Sequence, residues 1–154
     1  MIEVKDFFDA CSEQGISNFC GVPDSLLKNI CAYISDNTSP EQHLITANEG
    51  SAVALAVGQY ITTGQPSLVY MQNSGFGNAI NPLLSVADAK VYSVPMILMI
   101  GWRGEPGVKD EPQHVKQGAV MEQLLEACDL PTIIIDAETS HIGEVLKSAV
   151  DQAI

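Results

Sequence analysis

The chain has 154 residues, 46% of them hydrophobic and 17% charged, which is enough apolar material to bury a core and too much for a disordered chain. Nineteen acids against seven Lys plus Arg give a formal charge of -12, the wrong sign for a surface that tracks nucleic-acid phosphates. No apolar run approaches the roughly 18 residues of a membrane-spanning helix, and the acidic opening MIEVKDFFDA lacks the basic start of a signal peptide, so a soluble cytoplasmic protein with no membrane or nucleic-acid partner is expected.

In chain order, Val4, Phe7, Phe8 and Cys11 recur at helical spacing, Gly15 stops that helix, and Ile16 to Cys20 reads as a short buried strand. Asp24 or Ser25 caps a second helix whose apolar face is Leu26, Leu27, Ile30 and Ile34. His43 to Thr46 is a second strand, Glu49 to Thr62 a buried helix rich in Ala and Val, and Ser67 to Met71 a third strand. Asn78 to Ala89 reads as a helix with Pro82 in its first turn, and Val94 to Ile100 is the most hydrophobic strand. Gln117 to Cys128 is predicted helical, Pro131 to Asp136 a fifth strand, and Thr139 opens a last helix with Ile142, Val145, Leu146 and Ala149 inward. Cys11, Cys20, Cys31 and Cys128 lack C-x-x-C spacing and read as buried thiols; with His43, His114 and His141 scattered between them, no metal site is predicted.

Strands separated by helices imply right-handed crossovers. The expected fold is therefore α/β, a three-layer αβα sandwich with a mainly parallel sheet, residues 1–154 forming one domain. Ligands of such sheets sit at the carboxyl ends of the strands, which directs attention to four loops.

Gly21-Val22-Pro23-Asp24-Ser25 reads either as a turn with a helix cap or as a carboxylate placed to donate or accept a proton. Asn48-Glu49-Gly50-Ser51-Ala52 leads into an apolar helix. Glu49 there is favoured by the helix dipole, and equally it reads as a partly desolvated carboxylate of raised pKa suited to proton exchange with a bound base. Gln72-Asn73-Ser74-Gly75-Phe76-Gly77-Asn78, followed by Asn81, has neither a dinucleotide fingerprint nor a P-loop; its neutral hydrogen-bonding groups suit an uncharged heteroaromatic ring or a neighbouring chain. The long segment Gly101 to Gln117 holds three cations (Arg103, Lys109, Lys116) and three acids (Glu105, Asp110, Glu111), so all the net charge lies outside it. Arg103 offers a fork of donors to an anion, although a solvated loop with incidental charges and Trp102 packed over the sheet edge explains the same composition. His114 alone is weak evidence for chemistry.

Together G-V-P-D-S, N-E-G-S-A, Q-N-S-G-F-G-N-A-I-N-P-L and G-W-R-G-E-P-G…D-E-P-Q-H…Q-G resemble, in order, the pyrimidine-binding domain of the phosphonopyruvate and sulfopyruvate decarboxylases, which use thiamine diphosphate. The fourth motif favours the phosphonopyruvate enzyme. The resemblance implies that Glu49 hydrogen-bonds N1' of the aminopyrimidine and so promotes loss of the thiazolium carbon's proton. It also implies that Asn73, Ser74, Gly75, Phe76 and Asn78 line the cofactor, and that Asp24 and His114 face substrate and move protons. Ser25 and Arg103, with Lys109 or Lys116 in support, are expected around the anionic group of a small 2-oxo acid. The implied reaction converts phosphonopyruvate to phosphonoacetaldehyde and CO2, with sulfopyruvate to sulfoacetaldehyde as the alternative.

One departure changes the reading. The family holds the diphosphate and Mg²⁺ with a Gly-Asp-Gly motif in a second domain, and no Gly-Asp-Gly occurs in this sequence. A β subunit or a further domain is expected to supply it, in a homo- or hetero-oligomer where Glu49 acts across an interface. An end just after the last helix suits an α subunit. The competing reading from another class is a non-catalytic α/β assembly module.

Overall fold

In the computed structural model, which describes residues 2–154, β1 (Asn18–Gly21), β2 (His43–Ile45), β3 (Ser67–Gln72) and β4 (Met96–Gly101) form an all-parallel sheet in the order β2-β1-β3-β4. The register pairs Cys20 with Leu44 and Val69, and Val69 with Leu98. Successive strand residues point to opposite faces, so the sheet carries two cores. Phe19, Leu68 and Tyr70 pack with α1 (Val4–Glu13), α2 (Lys28–Asn37) and α6 (Ile142–Ala153). Cys20, Val69 and Met71 pack with α3 (Glu49–Thr63), α4 (Phe76–Pro82) and α5 (Pro112–Ala127). This is the expected three-layer arrangement. No helix among the described residues is long and apolar enough to cross a membrane.

Local chemistry explains most boundaries. Gly15 (φ 75°) and Gly64 (φ 72°) take the left-handed conformation that ends α1 and α3. Cys11, Cys20 and Cys31 are buried free thiols, and burial pushes the first two up to about 12, which leaves them unreactive.

Four expectations are corrected. Asp24 does not cap a helix: α2 starts only at Lys28, and the Asp24 carboxylate closes a two-residue turn by accepting from the Leu26 amide at 3.0 Å. Pro82 ends α4 instead of opening a helix at Asn78. Its nitrogen has no hydrogen to give the Asn78 carbonyl, and the chain widens into a π turn over Leu83–Ala87, closed by Asp88 N–H on Leu83 O at 2.8 Å. The fifth helix begins five residues early, at Pro112, whose missing N–H costs nothing at the first position. Pro131 to Asp136 makes no strand among the described residues. Its β-branched run has a strand's local preference but no ladder bonds with β4, and Ile133, Ile134 and Ile135 stay 39–53% exposed.

Candidate functional site

The parallel sheet brings the loops after β1, β2, β3 and β4 to one edge, as anticipated. Asp24, 7% exposed, lies against Gly101, the last residue of β4; a Cβ there would stand 2.3 Å from Asp24 Oδ2. The Asp24 carboxylate thus occupies the space that a side chain at residue 101 would fill.

Glu49 is the first residue of α3. Asn48 caps that helix by accepting from the Ser51 amide at 2.9 Å, which fixes the backbone on either side of the carboxylate. Glu49 is 9% exposed, and its Oε2 accepts from Asn78 Nδ2 at 2.8 Å. Oε1 rests on Gly75, where a Cβ would stand 2.0 Å away. Every buried side-chain nitrogen or oxygen among the described residues has a partner, and Oε1 has none, so Oε1 is reached by solvent. The result is a carboxylate with one oxygen fixed and one available at the amino end of a helix. The Asn78 carbonyl, deprived of a donor by Pro82, lies against Gly50, so the start of α3 and α4 pack closely.

The third loop divides. Asn73 is 2% exposed and both of its amide atoms engage the Arg103 backbone: Nδ2 donates to Arg103 O at 2.8 Å, and Arg103 N donates to Oδ1 at 3.2 Å. It clamps the third loop to the fourth and has no amide atom left over for a ligand. Phe76 is wholly buried in the α3–α5 core. Ser74 is exposed and accepts from Gln72 Nε2 at 2.5 Å. Of the five residues expected with Glu49 around the cofactor, only Gly75 and Asn78 contact the Glu49 carboxylate.

In the fourth loop Arg103 is already paired. Its Nε donates to Asp110 Oδ2 at 2.7 Å, its Nη2 to Asp110 Oδ1, and its Nη1 to Ser25 Oγ at 2.8 Å. The Arg103 guanidinium holds the Asp110 carboxyl well below the usual carboxylate range. His114, on the first turn of α5, sets Nδ1 3.1 Å from Asp110 Oδ1. Lys109 is exposed and in no ion pair among the described residues. Trp102 packs on the α3–α5 core and donates from Nε1 to Gly118 O at 3.0 Å. Ser25, Arg103, Asp110 and His114 therefore form one connected polar group. Asp110 was not singled out from sequence; its spacing of four residues from His114 across a helix start was the available signal.

Comparison with known proteins gives this edge a family. Residues 4–126 match the model for the thiamine pyrophosphate enzyme, N-terminal TPP binding domain. The chain is 34% identical over 143 residues to phosphonopyruvate decarboxylase of Streptomyces viridochromogenes, covering 92% of this chain and 35% of that protein, so it spans about a third of that relative's length. It is 36% identical to the Streptomyces hygroscopicus enzyme of the same name, with 94% and 35% covered. It is also 31% identical to the sulfopyruvate decarboxylase subunit alpha of Methanocaldococcus jannaschii, with 81% and 71% covered. Among solved structures, the thiamine diphosphate-dependent 4-hydroxybenzoylformate decarboxylase of Rhodococcus jostii RHA1 superposes with a TM-score of 0.64 over 97% of this chain and 27% of that one, at 19% identity, a likeness of fold. The chain belongs to the thiamine pyrophosphate enzyme family and carries its N-terminal TPP binding domain.

Proposed function

We propose that this chain is the pyrimidine-binding half of a thiamine diphosphate-dependent decarboxylase that converts phosphonopyruvate to phosphonoacetaldehyde and CO2. The observation that carries the reading is the Glu49 carboxylate, with Oε2 held by Asn78 and Oε1 available over the bare Gly75 backbone. A ring nitrogen fits this arrangement, because a single open carboxylate oxygen is what a proton exchange with one heteroaromatic atom requires. When bound, thiamine diphosphate supplies a carbon nucleophile and an electron sink for the bond that releases CO2. Glu49 holds and returns a proton at the pyrimidine N1' position. Asp24, seated on Gly101, and His114, anchored through Nδ1, are the candidates for moving protons near substrate.

Arg103 does not receive the substrate's anionic head with its whole charge, since the pair it forms with Asp110 is neutral. Its Nη1 edge beside Ser25, and Lys109 and Lys116, neither of them in an ion pair among the described residues, are the remaining cationic groups of this segment. Mg²⁺ and the diphosphate are assigned to a β subunit or a further domain. Sulfopyruvate is the alternative substrate, supported by the 31% identity to the Methanocaldococcus sulfopyruvate decarboxylase subunit alpha.

The test is reconstitution. The chain is assayed with thiamine diphosphate, Mg²⁺ and either 2-oxo acid, alone and with a β subunit bearing Gly-Asp-Gly. Turnover is expected only in the mixture, and Glu49→Gln, which keeps the shape and the Asn78 contact, is expected to lower kcat by about 10²-fold or more. Near wild-type turnover by Glu49→Gln overturns the assigned role, and turnover by the chain alone overturns the divided site.

A further inference from the structure

Outside Glu49, the densest polar convergence in the described structure is on Asp110. Five N–H groups aim at its two oxygens: Arg103 Nε at 2.7 Å, Arg103 Nη2, the Gly104 amide at 2.8 Å, the Glu111 amide at 2.7 Å and His114 Nδ1 at 3.1 Å. The side chains are largely enclosed, with Asp110 12%, His114 14% and Arg103 19% exposed. An ionised carboxylate only accepts hydrogen bonds. His114 therefore carries its proton on Nδ1, and in the neutral ring Nε2 is left as the basic atom, with no protein partner among the described residues. The same carboxylate fixes Arg103, whose Nη1 reaches Ser25 in the first loop and whose backbone is clamped by Asn73 in the third. Through that one side chain the orientation of His114 and the neighbourhood of Asp24 become a single rigid unit.

We propose that Asp110 is a positioning residue of this site: it holds His114 in the Nδ1–H form, with Nε2 available to substrate, and locks the Arg103 fork to the first loop. The proposal rests on the decarboxylase reading for its consequence in turnover, and on geometry alone for the state of His114. A residue that merely stapled the loop would influence melting and leave the tautomer and the per-site rate untouched. Asp110→Asn separates the two roles, because it keeps the shape but offers one acceptor oxygen to donors that now occupy two, and faces others with an NH2.

The first measurement is the ¹⁵N spectrum of the histidine-labelled chain at a pH where His114 is neutral, its signals identified with His114→Gln. The Nδ1–H tautomer is expected to dominate in the wild type and to lose that dominance in Asp110→Asn. The second is kinetic, in the enzyme reconstituted with its β subunit: Asp110→Asn is expected to lower kcat about tenfold to a hundredfold. A wild-type His114 in the Nε2–H form overturns the proposal without any variant having to fold, as does an unchanged tautomer or an unchanged kcat in folded Asp110→Asn. Absence of turnover in the wild-type complex is a separate failure, that of the decarboxylase reading, and leaves the tautomer result to stand or fall by itself.

Discussion

At Gly75 stability and activity separate. The three atoms nearest to a Cβ there all belong to one side chain, Glu49 Oε1 at 2.0 Å, Cδ at 2.2 Å and Cγ at 2.6 Å, and Gly75 has ordinary right-handed backbone angles. Gly75→Ala is expected to fold, at a cost of about 1–3 kcal/mol, by turning the whole Glu49 side chain aside. The displaced carboxylate no longer meets a ring nitrogen in line, and a misplacement of about 1 Å is worth about 10² in rate. Thermal melting of the chain and kcat of the reconstituted enzyme check both halves; unimpaired kcat would mean that the carboxylate's position over Gly75 is irrelevant. Gly118 is the contrast: a Cβ there would stand 1.8 Å from the Gly104 backbone oxygen, which has no rotamer to escape into. Such differences explain what the sequence made legible at this scale. Glu49 is legible as a carboxylate among apolar strand and helix residues and Asp24 as a carboxylate at the carboxyl edge of a strand, and both are buried. The clamp of Asn73 on Arg103, the role of Asp110 and the pairing of Arg103 are not legible locally, because the partners lie 30 residues away or depend on where a loop turns into a helix.

Elements were readable where local preference and burial agree. β3 is an apolar run buried between two helix layers, β4 is a half-buried apolar run at the sheet edge, and α3 has its Asn48 cap and its Gly64 stop written in the sequence. They were misread where the deciding contact is nonlocal, as at 131–136, or where proline's effect depends on its position in a helix, as at Pro82. The same sheet contains an element-level link no motif suggested. Tyr70 on β3 passes over Gly21 of β1, whose Cβ would stand 2.7 Å from the ring, and its hydroxyl meets His43 Nε2 on β2 at 2.8 Å. Ser35 on α2 gives its only hydroxyl hydrogen to Cys31 O, so its oxygen accepts from His43 Nδ1, and Nε2 must accept from Tyr70. This pattern requires neutral His43, and burial lowers its pKa below 6.5. Tyr70, pushed up by burial, stays protonated throughout. A depressed folded-state pKa gives stability that is complete above the unfolded value of about 6.5 and declines as pH falls from there to the folded value. Between about pH 7.5 and 5.5 the wild-type melting temperature is expected to drop by more than that of His43→Gln, which cannot titrate. Parallel pH profiles for the two would exclude His43 as a contributor.

For the whole molecule the distribution of charge matters more than its total. The segment 101–117 is neutral, and the remaining residues carry the entire -12. On the carboxyl-end rim Leu26, Ile45, Val108 and Val115 are 56–66% exposed, which puts apolar surface beside the neutral segment and the loops that carry Asp24, Glu49 and His114. A β subunit that completes the site must cover this edge. Its attachment there would draw on apolar burial, whereas attachment elsewhere would have to contend with a strongly acidic surface. Salt separates these cases, since it screens charges and leaves apolar burial largely unaffected. Raising salt from about 0.05 M to about 0.5 M is expected to change the dissociation constant of the complex by less than about threefold. Val108→Asp, in an exposed turn outside the Asp110 hydrogen bonds, is expected to raise it about tenfold, or about 1.4 kcal/mol, while the chain's own melting stays the same. Sedimentation or calorimetric titration of chain and partner reads both quantities. A steep salt dependence with no effect of Val108→Asp would move the contact to the acidic remainder, where no partner could complete the Glu49 site.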